Sequence, residues 1–144
     1  MRVLILGGKG MLGHAAWLSL NKDFDVSVTI RSAFSEVERF SIFDEKKTLC
    51  GVRAEDFLIF EKIMSTVSPD VVINCIGIVK QIQESVNPVK SIEINSLFPH
   101  KLAVLCAQNN CRLIHVSTDC VFSGKKGRYT ENDTPDPLDL YGRT

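Results

Sequence analysis

The stretch Arg2-Val3-Leu4-Ile5-Leu6-Gly7-Gly8-Lys9-Gly10-Met11-Leu12-Gly13 runs from an apolar segment straight into a glycine cluster. An apolar run of this length suits a strand buried on both faces. From Met11 to about Leu20 the pattern turns helical. A strand, a glycine turn and a helix in immediate succession open a βαβ unit. In that setting Gly7 permits the tight turn, Gly10 lets the backbone approach a pyrophosphate, and Gly13 lets helix pack on strand. The helix start then presents free N–H groups and the positive end of its dipole to phosphates. Lys9, Met11 and Leu12 complete this candidate loop.

Working outward, Asp25 to Ile30 alternates and is rich in β-branched residues, so it reads as a second strand. Between Ser32 and Lys47 one short helix carrying Phe40 and Phe43 is expected. Leu49 to Arg53 reads as a brief third strand, and Glu55 to Thr66 as an amphipathic helix. Val71 to Ile76 is the fourth strand. Asn87-Pro88 has the form of an N-cap followed by Pro at the first helical position. The helix it starts runs towards Gln108 and bends at Pro99. Arg112 to Ser117 is the fifth strand, and Ser123 to Leu138 is a long loop of a kind that tends to be functional. Strands alternating with helices imply right-handed crossovers and a parallel sheet. The expectation is an α/β, Rossmann-like, doubly wound sheet of strand order 3-2-1-4-5, with sites at the carboxyl ends of its strands.

At 144 residues the chain fits one domain, 1–144, able to bury roughly 70% of the surface its unfolded form exposes. Seventeen basic and 17 acidic residues cancel, which gives no attraction for nucleic acid or an anionic membrane. No stretch approaches the ~18 apolar residues of a membrane span, and Met1 leads directly into a strand, so a cytoplasmic protein without an export signal is expected. Cys50, Cys75, Cys106, Cys111 and Cys120 are odd in number and form no C-x-x-C pair. They are expected to be reduced and mostly buried. No His, Cys, Asp or Glu spacing suggests a metal.

The end of the second strand decides which ribose is read. An acid there would accept from the 2′-hydroxyl of NAD, whereas Arg31 and Ser32 suit a 2′-phosphate. NADP(H) is therefore expected over NAD(H), with Lys9 a possible second cation. His14 is expected to pack or face solvent, His115 to be a satisfied core histidine, and His100 to lie on the helix surface. Lys125, Lys126 and Arg128 read as a solvated basic loop.

Towards the chain end, Ser117-Thr118-Asp119-Cys120-Val121-Phe122-Ser123-Gly124, then Tyr129-Thr130-Glu131, Pro137 and Tyr141-Gly142-Arg143-Thr144, resemble the extended short-chain dehydrogenase/reductases. Within them the chain is most similar to the dTDP-4-dehydrorhamnose reductase group, whose pattern is S-T-D-x-V-F-x-G followed by Y-G-x-[ST]-K. Val72-Ile73-Asn74-Cys75 and Asn95 fall where that family has its fourth-strand and active-site Asn residues. The glycine turn fits the extended spacing G-x-x-G-x-x-G, with Leu6 where many members carry Thr.

The resemblance implies NADPH-dependent reduction of a 4-keto nucleotide sugar, a reaction of polysaccharide biosynthesis. It makes Tyr141 the proton donor to the carbonyl oxygen, Thr118 a hydrogen-bond donor to that oxygen, and Asn95 the holder of a water relay. Cys75, Ile76, Gly77, Ile78 and Ser117 would flank the cofactor. The family also brackets adenine with an acid after the third strand, a place Arg53 takes here, with Asp56 nearby. Two rival readings remain. One is epimerisation or dehydration within the same superfamily; the other is a non-catalytic NADP-binding regulatory subunit.

The family's Lys belongs one position beyond Thr144, and its last strands and substrate domain lie further on. The chain is accordingly expected to be a truncated form, a processed fragment or a shortened gene product, and to self-associate through an exposed fifth-strand edge. It is expected to bind NADP(H) without turning over substrate. Measurable NADPH oxidation by this polypeptide with a 4-keto sugar nucleotide would overturn that expectation.

Overall fold

A computed structural model describes residues 1–82 and 86–144. Among them five strands form one parallel sheet: β1 Arg2–Leu6, β2 Asp25–Thr29, β3 Thr48–Leu49, β4 Val71–Asn74 and β5 Arg112–His115. Their order is β3-β2-β1-β4-β5, as expected. Register runs straight across the sheet, with Val3 opposite both Val26 and Val71, and Val71 opposite Arg112.

Alternation along β1 divides the core in two, because successive side chains leave a strand on opposite faces. Val3 and Ile5 meet Trp17 of α1, Met11–Leu20, together with Val26 and Val28. Leu4 and Leu6 meet Phe60, Ile63 and Met64 of α2, Leu58–Val67, and Phe98, Leu102 and Leu105 of α4, Phe98–Gln108. Phe57, Phe60 and Phe98 form an aromatic cluster with centroids 5.0–6.2 Å apart. Each face is covered by helix, which is why the strands read as continuous apolar runs.

Between β2 and β3 the expected single helix is replaced by three short 3₁₀ turns, Phe34–Glu36, Glu38–Phe40 and Glu45–Lys47. Phe40 is exposed, whereas Phe43 lies outside these turns and packs on Trp17 at 5.8 Å. The Trp17 indole N–H donates to the Ile42 carbonyl at 2.9 Å, fastening this segment to α1. The third strand is shorter and earlier than the sequence suggested. Gly51, at φ 72°, ends the regular ladder; past β3 its N–H donates to the Ser32 carbonyl at 3.4 Å and the Val52 N–H to the Ile30 carbonyl at 3.0 Å.

The helix opened by Asn87 is interrupted rather than simply bent. The Asn87 side chain accepts from the Lys90 N–H and Pro88 starts α3, Pro88–Ser91. Ile92–Leu97 then takes wider π turns, in which the Phe98 N–H reaches back five residues to the Glu93 carbonyl. Pro99 explains the interruption: it cannot donate to the Asn95 carbonyl and its ring would collide with it. The last element, α5 Leu140–Arg143, is capped by Asp139, whose side chain accepts from the Gly142 N–H.

The outer edge of β5 pairs with no strand among the described residues, and Ile114 and Val116 are exposed beside it. His115 is thus not a core residue, in contrast to the expectation. All five cysteines are free thiols; Cys106 and Cys111 are buried and Cys50 is exposed.

At Gly13 helix and strand approach closely, and an added Cβ would stand 2.3 Å from the Gly7 carbonyl oxygen. Helix propensity alone would favour Ala there by about 1 kcal/mol. The clash with backbone outweighs it, so Gly13→Ala should cost about 1–2 kcal/mol net. A lower urea midpoint at unchanged slope is the expected result; a midpoint at or above wild type would show that α1 can shift at little cost.

Candidate functional site

Four chain segments leave the carboxyl end of the sheet side by side. Gly7, Lys9 and Gly10 follow β1; Ile30 to Ala33 follow β2; Val52 to Glu55 follow β3; and Cys75 to Ile78 follow β4. Together they line a cleft of about 950 Å³, within the size range of cofactor pockets. The winding direction reverses between β1 and β4, which places the cleft at the topological switch point of the sheet.

The floor is the glycine turn. Gly7 sits at φ 86°, a backbone conformation open to glycine and strained for other residues. Its N–H donates to Thr29 Oγ1 at 3.2 Å, and the Gly8 N–H donates to the Thr29 carbonyl at 2.8 Å. Gly10 begins α1 with no side-chain cap, and no acid stands in the first helical turn. The first N–H groups and the positive end of α1 are therefore left for an anion. Glycine at 7, 10 and 13 keeps this cradle free of Cβ atoms, and a pyrophosphate fits it.

Charge is concentrated at the β2 end. The Lys9 ammonium donates to Ser32 Oγ at 3.1 Å and to the Glu36 carboxylate at 3.2 Å. Across the cleft Lys90 pairs with Glu55 at 3.5 Å. Arg31 and Arg53 also line the cleft and carry no ion pair among the described residues.

The opposite wall is held by two asparagines. Asn74 is fully buried. Its Oδ1 accepts from the Ile76 N–H at 3.0 Å and its Nδ2 faces His115 Nδ1 at 3.1 Å. Taking the Ile76 N–H into this local turn ends β4 at Asn74, two residues before the predicted Ile76. Asn95, in the π turns, clamps the backbone of Ile78: Oδ1 accepts from its N–H at 2.8 Å and Nδ2 donates to its carbonyl at 3.0 Å. Desolvation raises the Cys75 thiol above its ordinary pKa, so it lines the wall as a neutral group.

Thr118 and Tyr141 lie on segments that touch. Thr118 Oγ1 accepts from the Cys120 N–H at 3.2 Å, capping the 3₁₀ turn Asp119–Val121. Gly142 rests on that turn, since an added Cβ would lie 2.2 Å from the Cys120 carbonyl oxygen. Lys80 Nζ is 2.6 Å from the Asp139 carboxylate and, with the Gly142 N–H, holds that carboxyl below the usual range. Ser96 Oγ donates to the Thr144 carbonyl at 3.0 Å. The helical turn bearing Tyr141 is thus tied to residues near both partners of the Asn95–Ile78 clamp.

Of the sequence-predicted cofactor residues, Gly7, Lys9, Gly10, Arg31, Ser32, Cys75, Ile76 and Gly77 line the cleft. Met11, Leu12, Gly13 and Ser117 are not among its lining residues; Gly13 is buried under Gly7, and Met11 is 90% exposed. His14 packs against Phe43 at 6.3 Å between ring centroids. Lys126 pairs with Asp133 of its own loop. Asn74, matched in the sequence to the family's fourth-strand Asn, is buried beside the cleft. Thr29 and Glu36 escaped the sequence reading: Thr29 closes an alternating strand, and Glu36 reaches Lys9 only through the 3₁₀ turn, which the sequence pattern does not reveal. Among the described residues no group of three His, Cys, Asp or Glu is placed to hold a metal ion, and no helix is long and apolar enough to cross a membrane.

The family described as RmlD substrate binding domain matches residues 1–144. The chain is 28% identical over 145 residues to methionine adenosyltransferase 2 subunit beta of Mus musculus, covering 99% of this chain and 40% of that one. It is 36% identical over 77 residues to a dTDP-4-dehydrorhamnose reductase of Mycolicibacterium smegmatis, covering 52% and 24%. Among solved structures, a hypothetical dTDP-4-dehydrorhamnose reductase from Sulfolobus tokodaii superposes with TM-score 0.83 at 26% identity, over 99% of this chain and 48% of that one. The dTDP-4-dehydrorhamnose reductase of Bacillus anthracis, in complex with NADP, superposes with TM-score 0.77 at 24% identity, over 99% and 45%, and shows the shared fold. The chain thus spans less than half the length of these relatives.

The Asn74–His115 contact carries a pH signature. With Asn74 Oδ1 taken by the Ile76 N–H, its amide nitrogen must donate to His115, which requires an unprotonated Nδ1. Desolvation, aided by nearby His100, holds the His115 pKa below the ordinary value. The unfolded chain therefore binds this proton first, and stability falls as pH drops through about 6.5 towards the folded pKa. Between about pH 7.5 and pH 5, His115→Gln should lose less thermal stability than wild type. Parallel falls in the two proteins would count against the contact.

Proposed function

The chain belongs to the RmlD substrate binding domain family, and from that premise we propose that residues 1–144 are the NADP(H)-binding domain of a reductase acting on the 4-keto group of a nucleotide sugar. The observation that carries this reading is the glycine cradle: an uncapped α1 start over Gly7, opening on a cleft whose β2 end holds Arg31, Ser32 and Lys9. A backbone cradle suits a pyrophosphate, and the guanidinium groups of Arg31 and Arg53, without an ion pair among the described residues, suit a further phosphate on the ribose. The names of the reductase relatives support the substrate class.

In this reading Gly7, Gly10, Met11, Leu12 and Gly13 shape the pyrophosphate site. Arg31, Ser32 and Lys9 receive the 2′-phosphate, and Cys75, Ile76, Gly77 and Ser117 flank the rest of the cofactor. The bound dinucleotide supplies hydride to the substrate carbon. Tyr141 donates a proton to the carbonyl oxygen, and the Thr118 hydroxyl stabilises the negative charge that develops there. Asn95, with both amide atoms on Ile78, keeps the wall between cofactor and tyrosine in place; any water it holds is a second duty of the same side chain. The same reading makes the protein cytoplasmic and part of polysaccharide biosynthesis.

A second reading, a cofactor-binding subunit without turnover, is favoured by the similarity to methionine adenosyltransferase 2 subunit beta along 99% of the chain. Both readings require the dinucleotide. Calorimetric titration should give tighter binding of NADPH than of NADH. Arg31→Ala should weaken NADPH roughly tenfold or more, through loss of a charge-assisted hydrogen bond, and leave NADH little changed. Equal affinities of wild type for the two dinucleotides would overturn the cofactor assignment.

A further inference from the structure

The β2 end of the cleft holds a carboxylate that phosphate recognition does not call for. Glu36 lines the cleft from the 3₁₀ turn Phe34–Glu36 and shares the Lys9 ammonium with Ser32. We propose that Glu36 is a specificity-determining residue that restrains the preference of this cleft for a 2′-phosphate and keeps it open to a ribose with a free 2′-hydroxyl. This rests on the reading of the cleft as a nicotinamide dinucleotide site.

The Lys9 ammonium has three N–H donors, of which Ser32 Oγ and the Glu36 carboxylate take two. An anion that takes the third shares its cation with Glu36, at a separation of only two hydrogen bonds. A phosphate monoester carries about −1.5 to −2 charge at neutral pH, so the two anions repel. A neutral 2′-hydroxyl meets no repulsion and can donate to the carboxylate.

The opposing effect is that Glu36 helps to hold Lys9 against Ser32. Lys9 and Glu36 have side chains 45% and 59% exposed, and an ion pair that open contributes little. Repulsion between one carboxylate and a nearly doubly charged phosphate is the larger quantity, even in a water-like dielectric. Removing the charge should therefore tighten a 2′-phosphate ligand and leave a 2′-hydroxyl ligand unchanged or weaker. Both changes move the selectivity in one direction. Arg31 and Arg53, which line the cleft and carry no ion pair among the described residues, supply the attraction that Glu36 offsets.

The test is calorimetric titration of wild type, Glu36→Gln and Glu36→Asp with NADPH and NADH, and with the fragments 2′,5′-ADP and 5′-AMP, in low salt and in about 0.5 M salt. Glu36→Gln should raise the NADPH-to-NADH affinity ratio roughly tenfold in low salt, an effect that shrinks in high salt as charges are screened. The fragments should show the same change, since the effect is confined to the adenosine end. Glu36→Asp, which keeps the charge, should stay near the wild-type ratio. An unchanged or lower ratio in Glu36→Gln, or an equal rise in Glu36→Asp, would overturn the inference while NADPH binding itself stands. Failure of wild type to bind either dinucleotide would instead overturn the reading of the cleft on which it rests.

Discussion

A side chain at Gly13 would stand 2.3 Å from the carbonyl oxygen of Gly7, and the lack of one lets α1 begin directly over the end of β1. Helix and strand could pack without this approach, but the helix start would then lie farther from the turn. The free N–H groups and the dipole of α1 act over about one turn, so their use at the cleft depends on that closeness. The turn is also fixed from the side. Thr29 accepts the Gly7 N–H with its hydroxyl and the Gly8 N–H with its carbonyl, so the glycine loop is fastened to the end of β2. Gly8 adds a second close approach, since a Cβ there would meet Val28 at 2.3 Å.

The two core clusters make the cleft possible, and a few of their members, such as Val52, Ile94 and Cys75, reach its wall. Val3 and Ile5 are anchored to α1, and Leu4 and Leu6 to α2 and α4. The strand between them is therefore held from both faces and stops where the glycines begin. Because the chain winds to one side through β2 and β3 and to the other through β4 and β5, no crossover helix closes the gap beyond β1. Four segment ends open into it, and the charged groups at the cleft come from those ends or from the turns just after them, except Lys90, which reaches it from α3.

Much of this was legible in the sequence. The apolar strands, the glycine spacing and the Asn87-Pro88 helix start each follow from strong local rules, and strand order follows from the alternation of strands with helices. The failures have local causes as well. A positive φ at Gly51 breaks what reads as a strand to Arg53. The region from Ser32 to Lys47 is built of 3₁₀ turns too short to have a period, and is held in place by the Trp17 indole on the Ile42 carbonyl, a tertiary bond. Pro99 signals an irregularity, but not whether the helix will kink or widen. His115 looked buried because its strand is apolar, yet β5 lies at the sheet edge, a property of topology rather than of its own residues. Glu36 shows the general limit: its importance comes from an ammonium 27 residues away in sequence, which no local pattern connects to it.

The cofactor cleft and the proposed proton donor communicate through backbone positions. Asn95 fixes Ile78, and its neighbour Ser96 holds the Thr144 carbonyl at the end of the turn that bears Tyr141. Two residues beyond Ile78, Lys80 reaches the Asp139 carboxylate that caps the start of that turn. Each bond is partly exposed and individually weak, but they act on opposite ends of a four-residue helix, so a displacement that satisfies one strains the other. The wider π turns at Ile92–Leu97 put Asn95 and Ser96, consecutive residues, in reach of the Ile78 backbone and the Thr144 carbonyl. The irregularity that Pro99 imposes on the helix thus falls on the two residues that join cleft to tyrosine.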